Sequence, residues 1–304
     1  MNFSSALLKA NPDRPLAGIG WMLAGIAIFS VNDALGKRLL FDYSVGELLL
    51  IRSAAALIVL LPFLRKAGAT SFRAAPRPAL QIVRIVFSAL EVAMFFWAVS
   101  YLPLADAVTF YLAGPIYVTA LSVVLLGETV GWRRWIAIVA GFAGVLLALH
   151  PTAASFTLPA VIALTGSIFF AVLMITTRML RHTPDMVLIG GQVGATLLLG
   201  VAFAPFGWIT PSLPDLLLSA LFGVLSIIAL ACVNRSLKLA PASVVVPYQY
   251  TMIVWATVFG YAVFGDIPNL LTLAGAAIII GAGLYIFWRE QMRGQPGSTS
   301  PLHP

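Results

Sequence analysis

The sequence predicts an all-α membrane protein of ten transmembrane helices, built as an inverted-topology 5+5 repeat with both termini on the cytoplasmic side. Three observations carry that prediction: an excess of apolar residues, ten windows of spanning length, and basic residues that alternate between the links. Of the 304 residues, 61% are hydrophobic and only 10% are charged, and the mean hydropathy is +0.99. A soluble core requires no such excess. Crossing a hydrocarbon layer roughly 30 Å thick takes about 20 mostly apolar residues.

Windows of that length run from 16 to 35, 45 to 64, 79 to 101, 104 to 126, 132 to 150, 156 to 177, 186 to 206, 215 to 236, 243 to 264 and 268 to 288. The first is closed by Lys37 and Arg38, and the second, around LLLIRSAAALIVLLPFL, by Arg65 and Lys66. The third carries Arg84 and Glu91 within its apolar run, and the fourth is interrupted at Gly114-Pro115. The fifth follows Arg133 and Arg134, the sixth ends at Arg178, and the eighth ends at Arg235 and Lys238. Pro247 interrupts the ninth, and the Gly-rich tenth ends at Arg289. Residues 1–15 form a cytoplasmic N-terminal segment, 16–150 and 151–288 the two five-helix repeats, and 289–304 a cytoplasmic tail whose Pro, Ser and Gly content predicts disorder.

Charge placement fixes the orientation. With the N-terminus cytoplasmic, fourteen Lys and Arg residues fall inside, against Lys37 and Arg38 outside, while Arg52 and Arg84 lie within spans. The net charge of +7 is therefore a topology signal rather than a nucleic-acid patch. The single cysteine, Cys232, excludes an internal disulfide, and MNFSSALLKANPDR lacks the apolar run of a cleaved signal peptide.

The halves repeat each other. LPLADAVTFY (102–111) aligns with LAPASVVVPY (239–248), pairing Tyr111 with Tyr248, and LLGETV (125–130) aligns with VFGDIP (263–268), pairing Glu128 with Asp266. Phe29 answers Phe169 and Arg52 answers Gln192 at an offset of 140 residues. Five spans per half force the second copy to enter from the opposite side, which places a substrate site near the midplane. These paired elements, with the Pro of the fourth span and the Gly-rich fifth and tenth spans, resemble the EamA type of the drug/metabolite transporter superfamily over residues 16–288. The resemblance implies spans 1–4 and 6–9 around a central cavity, spans 5 and 10 outside it, and export of amino acids with aromatic or apolar side chains across a bacterial inner membrane. It leaves open another amphiphilic cargo, such as a nucleotide derivative, vitamin or drug, as well as a membrane enzyme or structural protein.

Enzyme chemistry has little support in the chain. No G-x-x-x-x-G-K-[ST] loop, H-E-x-x-H motif or Cys/His cluster occurs, so neither cofactor nor metal is expected, and His150, His182 and His303 fall at span ends or in the tail. Intramembrane charge is more informative, because an ionised side chain at the bilayer centre costs at least about 2.5–3.5 kcal/mol unless paired or wetted. Glu91 and Arg52 lie at comparable depths and form either a brace between spans 2 and 3 or part of the transport site. Arg84 lies too far along the same face to pair with Glu91. Glu47 and Asp33, within about two turns of the outer face, read as wetted residues.

Polar and aromatic stripes complete the candidate cavity: Asn32 on span 1; Tyr111, Pro115, Thr119 and Ser122 on span 4; Gln192 on span 7; Tyr248, Thr251 and Trp255 on span 9. Pro115 and Pro247 are expected hinges. Small residues at A140xxxG144, G190xxxG194 and A277xxxG281 allow close helix approach, including a homodimer face.

Overall fold

The computed structural model describes residues 14–73, 76–102, 104–149, 157–259 and 270–294. Every regular element among them is helical: α1 (Pro15–Leu39), α2 (Val45–Arg73), α3 (Pro78–Tyr101), α4 (Leu104–Tyr111), α5 (Gly114–Leu126), α6 (Trp132–Leu149), α7 (Leu158–Met179), α8 (Asp185–Phe203), α9 (Leu213–Leu239), α10 (Ala242–Val245), a 3-10 segment (Val246–Thr251), α11 (Met252–Phe259) and α12 (Leu270–Gly294). Among the described residues, six helices are long and apolar enough to cross a membrane: α1, α2 over Val45–Lys66, α3, α7, α8 and α9. This is a multi-pass membrane protein. Gly265 and Asp266, most of the N-terminal segment and the end of the tail lie outside the described residues.

Local chemistry sets the ends of these helices. A proline occupies the first turn of α1, α3, α5, α7 and α9, where its missing N–H is no loss and its fixed φ suits the helix. Ser212 caps α9 by accepting from the Asp215 amide. The windows at 104–126 and 243–264 are not continuous helices. Pro115 cannot donate to the carbonyl of Tyr111 and would collide with it, so the chain breaks after Tyr111 and restarts at Gly114. Around Pro247 the backbone tightens into the 3-10 segment before α11 resumes.

The principal helix contacts join α1 to α9, α2 to α8, α3 to α7 and α6 to α12. Glycines make the closest of them possible. A Cβ on Gly46 or Gly200 would meet the α8 or α2 backbone opposite, and one on Gly223 would strike the carbonyl oxygen of Arg52. Gly144 rests on Gly275, Ile278 and Ile279 of α12, so the A140xxxG144 stripe serves packing within the chain, while Gly194 and Gly281 face open space.

Polar ties close both ends. Where α1 begins, the Glu128 carboxylate accepts from the amides of Ala242 and Ser243, both at 2.9 Å, and lies 4.0 Å from Arg178 Nε. Arg178 also donates to Leu237 O, Arg134 to Ser243 Oγ, and the Arg14 amide to Leu239 O. Where α1 ends, Lys37 donates to the carbonyls of Val99 and Leu102, and Tyr43 donates to Asp215 at 2.8 Å. Glu47, expected to be wetted, is fully buried and accepts from the Ile209 amide. The loop before α9 folds over it.

Candidate functional site

Between these ends lies a cavity with about 140 Å3 open to the centres of water-sized molecules, lined from α1, α2, α3, α4, α7, α8, α9, the 3-10 segment and α11. Its walls are mostly apolar: Phe95 and Phe96 of α3, Phe170 and Met174 of α7, Ile227 and Leu230 of α9, and Met252 of α11. Into this surface project Asn32, Asp33, Arg52, Ser53, Glu91, Tyr111, Gln192, Thr196, Ser226 and Gln249. A few polar groups on an apolar wall orient a ligand while burial of its body supplies affinity.

Arg52 is held by rings rather than by a carboxylate. Its guanidinium carbon lies 4.5 Å from the centroid of Phe222 and 5.5 Å from that of Phe96, within cation–π range. No ion pair of 4.0 Å or less joins it to Glu91, so the direct brace between spans 2 and 3 is not formed. Asp33, Arg52 and Glu91 are nevertheless close enough to act on one another electrostatically. Asp33, expected to be wetted, is only 7% exposed and belongs to the cavity wall. Its position near the end of a span concealed it, because the ends of α1 are covered by other helices.

Tyr111 donates to the Glu91 carbonyl at 3.2 Å and meets Phe95 edge-on, with ring centroids 5.0 Å apart. This ties short α4 to α3 beside Glu91. Gly166 leaves room for the hydroxyl, which would collide with a Cβ there. Asn32 accepts from Ser226 Oγ at 3.2 Å, joining α1 to α9 at the wall.

Five of the eight expected cavity residues, Asn32, Arg52, Glu91, Tyr111 and Gln192, are brought together. Thr119, Tyr248 and Trp255 are not. The break before Gly114 ends the stripe that a continuous helix would carry from Tyr111, and Thr119 is fully buried with no hydrogen-bond partner for its hydroxyl. The 3-10 segment advances about 120° per residue rather than 100°. Gln249 and Met252 therefore reach the cavity, while Tyr248 is buried in a core with Ile19, Met22 and Val246, and Trp255 packs against that core. Pro115 and Pro247 sit at the two breaks.

One further buried group lies behind the wall. Arg84 is 0% exposed and donates to Thr177 Oγ1 at 2.8 Å, Leu188 O at 2.9 Å, and Gln192 Oε1 and Asn234 Oδ1, each at 3.3 Å. Reading α3 alone concealed this, because every acceptor comes from α7, α8 or α9.

A mostly apolar cavity with a few polar groups inside a helical membrane bundle is the architecture of a membrane transporter. The chain belongs to the EamA-like transporter family, whose model matches residues 16–150 and 157–288. It is 28% identical to the S-adenosylmethionine uptake transporter of Rickettsia bellii, covering 90% of this chain and 94% of that protein. It is 27% identical to the riboflavin transporter of Vibrio cholerae (88% and 91% covered) and 27% identical to the pseudopaline exporter of Pseudomonas aeruginosa (86% and 94%). The fold is similar to that of a solved crystal structure, with a TM-score of 0.72 at 17% identity over 92% of this chain and 98% of the other.

Proposed function

We propose that this transporter moves a small amphiphile with an α-amino-acid head and an apolar or aromatic body across a bacterial inner membrane by alternating access. The observation that carries the reading is the cavity's charge set: one guanidinium and two carboxylates, with a few neutral polar groups, on a mostly aromatic and aliphatic wall. Arg52 suits a cargo carboxylate, Asp33 and Glu91 suit cationic centres, and the Phe and Met side chains suit the body. Free amino acids with aromatic side chains meet this description, and so does an amino acid bearing a sulfonium centre. Net direction follows from the driving gradient rather than from the cavity; the relatives include both an uptake transporter and an exporter.

Alternating access draws support from the pairing of helices. Exchanging the two halves turns the α1–α9 contact into the α7–α3 contact and maps α2–α8 and α6–α12 onto themselves. The family model matches one stretch in each half, and the repeat partners Arg52 and Gln192 both reach the cavity. On this reading the bundle is a ten-span 5+5 inverted repeat, N-in and C-in, with hinges at Pro115 and Pro247. We place a homodimer contact at the open Ala277 to Gly281 stripe of α12; one chain alone supplies every cavity wall.

The test is counterflow in proteoliposomes with labelled L-phenylalanine, S-adenosylmethionine and riboflavin. Exchange of either amino-acid compound above that of empty vesicles is expected. Exchange of riboflavin alone refutes the amino-acid head, and exchange of none refutes the cargo class.

A further inference from the structure

We infer that Arg84 is a positioning residue: it fixes Gln192 as a hydrogen-bond donor to the cargo and selects cargo whose body carries an acceptor, such as a heteroaromatic ring nitrogen or a carbonyl. The inference rests on the cargo class proposed above and narrows it.

A guanidinium has only donors to offer, so the Gln192 atom 3.3 Å from Arg84 Nη2 must be its carbonyl oxygen. That contact fixes the amide's orientation. Gln192 lines the cavity and Arg84 does not, so the carbonyl end turned to Arg84 leaves the Nε2 group, with its two protons, for the cavity side. Gln192 is 8% exposed and what remains accessible of it lines the cavity, so these donors are open to a ligand that fills the space.

Arg84 is in turn fixed from three helices. Thr177 on α7, Leu188 on α8 and Asn234 on α9 accept its remaining bonds, and none of the four acceptors is a carboxylate. A buried cation without a counter-ion is costly inside a membrane, and helix packing alone needs only a neutral side chain at this position. Its distinctive chemical effect is to give Gln192 one orientation. An amide free to rotate presents donor or acceptor alike, whereas a fixed one rejects a body with no acceptor, because a buried N–H would stay unpaired.

A double-mutant cycle tests this by counterflow, with S-adenosylmethionine as probe and S-methylmethionine as competitor. The competitor keeps the amino-acid head and the sulfonium but has no ring acceptor. Q192L and R84M are each expected to raise the apparent KM for the probe about tenfold, and the double variant no further, while inhibition by S-methylmethionine does not weaken in any of them and strengthens where the unpaired donor is removed. R84K keeps a donor toward Gln192 and is expected to recover part of the loss. If R84M fails to accumulate in membranes, R84K and R84K/Q192L carry the cycle.

Multiplicative losses in the double variant, or equal loss of S-methylmethionine inhibition, would overturn the inference. Wild-type exchange of L-phenylalanine without S-adenosylmethionine leaves the proposed function standing and refutes the acceptor selection. No exchange of either refutes both.

Discussion

Glu91 sits where a spanning helix tolerates a carboxylate only with a purpose. It reaches the cavity, its main-chain carbonyl is held by Tyr111, and no ion pair joins it to Arg52. Replacing Glu91 with Gln is expected to lower exchange by about tenfold or more while insertion is preserved; normal exchange at every pH tested would remove it from the transport cycle. Gly223 offers a second handle. Its Cβ-less face admits the Arg52 carbonyl, so Gly223→Ala should force α2 and α9 apart at a cost of about 1–3 kcal/mol and weaken cargo affinity. A Kd unchanged from wild type would show that Arg52 is not positioned by this contact. Glu91 and Arg52 were legible in the sequence because the cost of an intramembrane charge needs no partner list. Arg84 was not, since its acceptors lie more than 90 residues away in the chain, and Asp33 was not, since a place near the end of a span reads as wetted.

At the level of elements, the six long spans α1, α2, α3, α7, α8 and α9 were legible from length and hydropathy, but the register of the two broken windows was not. A stripe drawn at 3.6 residues per turn holds only while the helix continues, and α4 ends at Tyr111 while the chain after Val245 tightens into a 3-10 turn. A continuous helix would bring Thr119, Tyr248 and Trp255 to the cavity; the breaks bring Gln249 there instead. The same breakpoints meet the tie formed by Glu128. Its two oxygens cap the start of α10 from the loop between α5 and α6, with Arg178 of α7 nearby. Glu128→Ala leaves two amides without their acceptor and should cost about 1–3 kcal/mol, measured by thermal unfolding in detergent. An unshifted Tm would mean that water replaces the carboxylate without loss.

On the scale of the whole molecule, the proposed ten spans would put both termini on one face. Cysteines introduced singly at Ser4 and Ser298 in a Cys232→Ala background should react with an impermeant thiol reagent only from the cytoplasmic side. Labelling of the two from opposite sides would overturn the ten-span count.

The way the halves are joined has a consequence for biogenesis. All four acceptors of Arg84 lie between Thr177 and Asn234, so the first of them is synthesised 93 residues after the arginine and the last 150 residues after it. At roughly 5–20 residues per second the ribosome takes several seconds or more to supply them. During that interval the newborn N-terminal half holds an unsatisfied cation at membrane depth, and the insertion machinery must shelter it until α7, α8 and α9 arrive.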